Sequence, residues 1–238
     1  MEVHHVTEAA ETFTCNAFLV VGDRTTLVDA GAMDGIVDEI RTHTDELEAV
    51  VVTHQHADHV AHLETVRDAF DPDVYAYDDH PARTHAIDDG DTVRIGDADF
   101  EAVYTPGHAD DHVSFVSDSA LFSGDVVVHD DGAFDYGSFG RTDRAGQSRE
   151  RLIESIRDLL ERMPDGGSHE ERGPSSRSNG HRPQEANASA ASGADRARPA
   201  GVEHMYPGHG DIFHGDVRDV VQTALERAEK REPKYPDQ

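Results

Sequence analysis

Basic residues are scarce in this chain. Of 238 residues only 21 are lysine or arginine, against 49 acids, which leaves a net charge of −28. Lysine occurs only at Lys230 and Lys234. A surface so negative repels phosphate backbones and anionic lipid, so neither nucleic acid nor a membrane is expected as a partner. The same lysine-poor acidity is expected of a protein from a very salty (halophilic) cytoplasm, where ions screen the self-repulsion. Cysteine is scarcer still. Cys15 stands alone, which excludes a disulfide framework within the chain. No apolar run is long enough to span a bilayer, and no basic, apolar N-terminal stretch reads as a signal peptide. These absences predict a soluble, cytoplasmic protein, and the length suits one domain of ordinary size.

What the chain does have is an alternation of strand and helix signals. The runs "TCNAFLVV" (Thr14–Val21) and "TTLVDA" (Thr25–Ala30) predict two strands joined at Gly22-Asp23. A short helix is expected over Met33–Thr42, then a strand at "EAVVV" that is apolar on both faces and hence buried. His59–Phe70 predicts a helix and "VYAY" a strand. From Thr92 to Val128 follow the short strands "TVRI", "FEAVY", "HVSFV", "ALFS" and "VVV". Two longer helices are predicted over Ser148–Met163 and Val217–Arg231, each with apolar residues at helical spacing on one face. Between Met163 and Val202 no large apolar residue occurs. This stretch holds five acids and five arginines among Gly, Ser, Ala and Pro, and is expected to be a disordered insert at 164–201. It would interrupt a single domain spanning 1–238.

The segment "AVVVTHQHADHV" (Ala49–Val60) packs three histidines and an aspartate into six positions behind the valine strand. The chain has 17 histidines, so solvated surface histidines are the reading to beat. His54 and His56 are two apart in an extended segment, point the same way, and can clamp one ion. Asp58 and His59 fall where a helix begins, so the turn swings His59 toward a second site. Further ligand types come at strand ends in turn contexts: His108 in "YTPGHADDH", Asp125 in "LFSGDVV" and His209 in "MYPGHGD". Each alone reads as structural; in order behind the first cluster they point to a metal site. His4, His5, His43, His62, His80, His85, His169, His181 and His214 lack such context and read as solvated.

The order "THQHADH", "TPGH", "SGD", "PGHG", with "LVDAG" near the start, resembles the metallo-β-lactamase-fold hydrolase superfamily over nearly all of the chain except the insert. The resemblance implies an α/β fold: an αββα four-layer sandwich of two mixed sheets flanked by helices, with metals at one edge. It implies that His54, His56 and His108 hold one metal, that Asp58, His59 and His209 hold a second, and that Asp125 bridges them. It also implies that Asp29 orients the ligand loop by hydrogen bonding. "GSFGRTD" (Gly137–Asp143) followed by a helix is similar to the compact glyoxalase-II-like branch, which resembles hydroxyacylglutathione hydrolase. Here "ADDH" replaces that enzyme's Gly-His pair after the third ligand, which makes His112 a candidate support for the ligands. Its glutathione-binding C-terminal domain has no counterpart in this sequence, so the thiol stays open.

The resemblance implies a binuclear metallohydrolase with two zinc ions, cleaving a small-molecule acyl-thiol ester by a metal-bridging hydroxide. Asp125 would hold the ions close and Asp58 pass the proton, the two forming the catalytic pair. Arg141 is a candidate for binding a substrate carboxylate, or else an exposed loop arginine. Tyr136, with Phe134 and Phe139, is a candidate for the apolar pocket wall, or else anchors that loop to the core. The rival on the same fold is a mononuclear-iron persulfide dioxygenase using His54, His108 and Asp125; mixed zinc and iron occupancy also stays open. A β-lactamase, a nuclease and a metal-free scaffold are each disfavoured. Cys15 reads as packing, and His129, Asp130 and Asp131 as a surface loop ahead of the alternative that they line the pocket. Oligomeric state is not legible in the sequence.

Overall fold

The structure, a computed structural model, describes residues 1–164 and 201–231. The expected insert therefore falls, apart from its two end residues, outside the described residues. The first half builds one sheet. Strands β1 (Glu2–His5), β2 (Phe18–Val21) and β3 (Thr26–Val28) lead to helix α1 (Ile36–His43) and strand β4 (Ala49–Val51). Helices α2 (Ala57–Val60) and α3 (Leu63–Phe70) follow, then β5 (Asp73–Ala76) and β6 (His85–Ala86). These six strands lie in sequence order, antiparallel at first and parallel from β3 onward.

The second half builds the other sheet from β7 (Thr92–Ile95), β8 (Ala98–Tyr104), β9 (Val113–Val116) and β10 (Ala120–Gly124). A hairpin of β11 (Val127–Val128) and β12 (Ser138–Phe139) leads to helix α4 (Arg149–Arg162). Strands β13 (His204–Pro207) and β14 (Phe213–His214) and helix α5 (Val217–Glu229) complete it. The sheet order is β14-β13-β10-β9-β8-β7, with β13 parallel to β10 and the other pairs antiparallel.

Alternation of side chains across each strand creates three apolar layers. Phe18, Val20, Val51, Phe100, Phe115 and Phe122 fill the space between the sheets. Their neighbours Leu19, Val50 and Val52 face the other way and pack under Ile36 and Ile40 of α1 and Leu63 and Val66 of α3. On the far side Val103, Val116, Leu121 and Met205 pack under α4 and α5. The molecule is thus the expected αββα sandwich of two mixed sheets.

Helices α4 and α5 and strand β7 fall where the periodicity puts them, and both helices are capped by side chains. Ser148 Oγ accepts from the Arg151 N–H, and Asp216 Oδ1 from the Asp219 N–H. Elsewhere tertiary contacts override local signals. The strand predicted from Thr14 begins only at Phe18, because the Cys15 and Asn16 N–H groups donate to Asp58 and Gly208 carbonyls rather than to a ladder. The single helix predicted over His59–Phe70 is two. The His59 carbonyl accepts from Ala30 and Gly31 N–H groups at 2.9 and 3.0 Å, which takes it out of the helical ladder. Strands β1, β6, β12 and β14 have no clear sequence signal and exist through pairing.

Candidate metal centre

The predicted ligands follow the ends of four strands, β4, β8, β10 and β13: Asp58 and His59 lie in the short helix α2 after β4 and the others on loops. The sheets are tied together at this edge, where the Val113 N–H donates to the Thr53 carbonyl and the Asn16 N–H to the Gly208 carbonyl. His54, His56 and His108 form one group. The Nε2 atoms of His54 and His108 each lie 2.9 Å from Nδ1 of His56. Asp58, His59 and His209 form a second group, with His209 Nε2 3.1 Å from Asp58 Oδ2. Asp125 lies between the two, its oxygens 3.2 Å from His108 Nε2, 3.5 Å from His59 Nε2 and 3.6 Å from His209 Nε2. The seven residues that the sequence picked out thus converge on one place.

A surrounding set of hydrogen bonds aims the imidazoles. Asp29, held at a positive φ of 58°, accepts from the Thr53 N–H and hydroxyl through separate oxygens, and from His59 Nδ1 at 2.8 Å. His59 therefore turns its Nε2 toward the cluster. His108 Nδ1 donates to the Arg141 carbonyl at 3.0 Å, which likewise leaves its Nε2 for the centre. His112 is buried beneath the site. Its Nδ1 is 2.8 Å from Thr105 Oγ1 and its Nε2 accepts from the Asp125 N–H, so it supports the residue between the two groups.

Burial, and then neighbouring imidazoles, depress His108 to about 4 and His112 to about 3, so both are neutral lone-pair donors at physiological pH. Burial alone would raise Asp125, but His209, His59 and His108 hold it well below the usual carboxylate range. Cys15 is fully buried and burial pushes its thiol up to about 11, in keeping with a packing role.

The residues fit a cation on a direct observation. His59 Nε2 and Asp125 Oδ1 are both buried without a hydrogen-bond partner, and they face each other at 3.5 Å. Such orphaned polar atoms cost about 1–3 kcal/mol each unless something pairs them. A cation shared by nitrogen and carboxylate donors would do so for both. Close approach fixes Gly208 as well. A Cβ there would collide with Asp125 Oδ1 and come within 2.9 Å of His59 Cε1.

A cavity of about 580 Å³ opens over the cluster, lined by His56, Asp58, His108, Asp125 and His209 together with Phe13, Val128, Arg144 and Gln147. Arg141 lines it too, with its guanidinium forked onto Asp143. Asp130 and Asp131, expected on a surface loop, also border it. Tyr136 does not reach the cavity. Its hydroxyl donates to Asp219 Oδ2 on α5, so the candidate pocket residue anchors its loop instead. Phe134 and Phe139 pack into the core cluster beside it. His5, read as solvated, is half-buried against Phe18.

Three supports had no signal in the sequence. Asn16 donates to the Pro207 and Gly210 carbonyls at 3.0 and 2.8 Å and so clamps the loop that carries His209. Asp111 Oδ2 accepts from the Gln55 N–H between His54 and His56. Thr53 links Asp29 to the same loop. Each depends on a partner distant in the chain, which no local spacing reveals.

Known proteins resemble this chain in sequence and in fold. The profile of the family described as the metallo-beta-lactamase superfamily matches residues 10–85. A hydroxyacylglutathione hydrolase from Vibrio cholerae is 32% identical over 105 residues, which is 42% of this chain and 41% of that protein. Another, from Francisella philomiragia, is 42% identical over 101 residues, 40% of each. The chain thus matches about two-fifths of the length of these relatives. Among solved structures, ETHE1 from Myxococcus xanthus superposes with a TM-score of 0.65 at 18% identity, over 100% of this chain and 93% of that one. By sequence, residues 10–85 match the metallo-beta-lactamase superfamily, and the chain shares the fold of ETHE1.

Proposed function

We propose that the protein is a metal-dependent hydrolase of the glyoxalase II type, which cleaves a small-molecule acyl-thiol ester with two zinc ions. The observation that carries this reading is the orphaned pair His59 Nε2 and Asp125 Oδ1, set between two complete groups of nitrogen and carboxylate donors. His54, His56 and His108 would hold one ion, Asp58, His59 and His209 the other, and Asp125 both. Imidazole and carboxylate donors suit zinc. When bound, the ions would activate water at neutral pH and polarise the substrate carbonyl. The chain's own residues supply the rest. Asp29 and the Arg141 carbonyl fix His59 and His108 in their ligand tautomers, and Asp58, which faces the cavity, takes the proton at its carboxylate. A thioester is already activated, so no nucleophilic side chain is required. The curated relatives named hydroxyacylglutathione hydrolase support the thioester class.

The iron dioxygenase reading would use His54, His108 and Asp125, and His108 Nε2 does lie 3.2 Å from Asp125 Oδ2. It leaves the Asp58, His59 and His209 group without a task. Mass spectrometry of metals in protein purified without added metal tests both readings. About two zinc per chain, with turnover of lactoyl or acetyl thioesters, is the expected result. About one iron per chain, with oxygen uptake on a persulfide, would replace the hydrolase by the dioxygenase. A chain that neither carries nor takes up metal would overturn both.

A further inference from the structure

Phe13 and the N-terminal Met1 are the exposed large apolar side chains among the described residues, and Phe13 is 78% exposed. A lone surface hydrophobe is ordinary, but this one has a particular place. It lies in the loop between β1 and β2, next to the residues that pin the base of that loop. Thr7 Oγ1 donates to the Cys15 carbonyl and accepts from the Ala17 N–H, both at 2.9 Å, while Thr14 Oγ1 accepts from the Ala32 N–H. Phe13 is thus presented on a fixed base. The Phe13 ring stacks on the His209 imidazole, with centroids 5.2 Å apart and planes at 17°, and it borders the cavity above the candidate metal centre.

Phe13 lies on His209 of the Asp58, His59 and His209 group, and the cavity it borders is lined further by Val128 and Ala57 and by the carboxylates Asp130 and Asp131. Arg144 and Gln147 line it with His56 and His108, where the cavity runs on into a second depression. An apolar ligand segment laid on Phe13 would shelter a ring that the fold itself leaves in water.

We propose that Phe13 is the specificity-determining wall of the substrate pocket, and that the substrate carries an apolar segment of several carbons, alkyl or aryl, lying against it on the His209 side of the scissile bond. The inference rests on the thioesterase reading for the identity of that bond. It does not rest on it for the binding preference.

The test uses the full-length protein with Phe13→Ala and Phe13→Trp variants. The natural chain has no tryptophan, so Phe13→Trp also installs a unique fluorophore at the wall. The substrates are acetyl and hexanoyl thioesters of N-acetylcysteamine, and the binding probes are its S-methyl and S-hexyl thioethers. In Phe13→Ala the preference for hexanoyl over acetyl should fall on the order of tenfold, through KM, whereas Phe13→Trp keeps it. The emission of Phe13→Trp should shift to the blue with the S-hexyl but not the S-methyl thioether. Metal content should be unchanged in both variants. An unchanged chain-length preference, or equal emission responses to the two thioethers, overturns the proposal. Loss of metal from Phe13→Ala overturns it too, by making Phe13 a prop for His209. A blue shift with S-hexyl in a protein that cleaves no thioester would sink the thioesterase reading and leave the wall standing.

Discussion

Asn16 donates its side-chain amide across the molecule to the carbonyls of Pro207 and Gly210, and its own N–H donates to Gly208 at 2.7 Å. The loop so held carries His209 and has little secondary structure of its own. Removing the amide in Asn16→Ala leaves both acceptors unpaired at about 1 kcal/mol each, and frees His209 to drift. On the proposed two-zinc reading, the expected outcome is a fall from two metals toward one after dialysis, read by mass spectrometry. Asn16→Asp should be no better, since a carboxylate cannot donate to carbonyls.

His112 supports a prediction of pH dependence. Its burial, and the nearby His108, hold it neutral down to about pH 3, against 6.5 for an ordinary imidazole. Above pH 6.5 folded and unfolded chains are both neutral at this position, and it adds nothing. Below that the unfolded chain takes up a proton that the folded one refuses, so stability falls as pH falls toward 3. The slope from this one group is about 1.4 kcal/mol per pH unit. Urea unfolding of metal-stripped protein between pH 6.5 and 4.5 should show it, and His112→Gln should be shallower by one proton.

At the scale of elements, α4 braces the site from behind. The Ser148 N–H donates to the Gly107 carbonyl at 2.8 Å and Ser155 Oγ to the Pro106 carbonyl at 2.6 Å, so the helix N-terminus steadies the turn that presents His108. Ser148→Ala removes the cap and keeps the backbone bond. It should therefore lower stability by about 1 kcal/mol without changing metal content, measured by urea midpoint and metal analysis. Helices α4 and α5 were legible because their apolar faces repeat at helical spacing over three or more turns. The two-residue strands β6, β12 and β14 were not, because so short a ladder has no periodicity to read. The break between α2 and α3 was hidden for a different reason: it is imposed on the His59 carbonyl by Ala30 and Gly31.

For the whole molecule, the candidate metal centre spans two sheets that also meet through the apolar packing between them and a few hydrogen bonds at that edge. The candidate ligands after β4 come from one sheet, those after β8, β10 and β13 from the other. A bound cation should therefore stabilise the entire fold. At a thousandfold excess over its dissociation constant, this linkage is worth about 4 kcal/mol, or on the order of 10 °C in Tm for a chain of this size. Thermal melts with and without a strong chelator check it, and a chelator that leaves Tm unchanged would contradict the cross-sheet role.

The seven ligand candidates, and the class of fold that holds them, were determined by the sequence itself. Ligand chemistry needs particular side chains at particular spacings, and "THQHADH", "TPGH", "SGD" and "PGHG" display both. The tertiary structure alone decided the supports: Asn16 and Asp111 as clamps, Phe13 over the cavity, and Tyr136 turned away to Asp219. A support is defined by the backbone group or ring it meets, and those partners lie as many as 194 residues away along the chain. Only folding brings them within reach, so no local pattern records them.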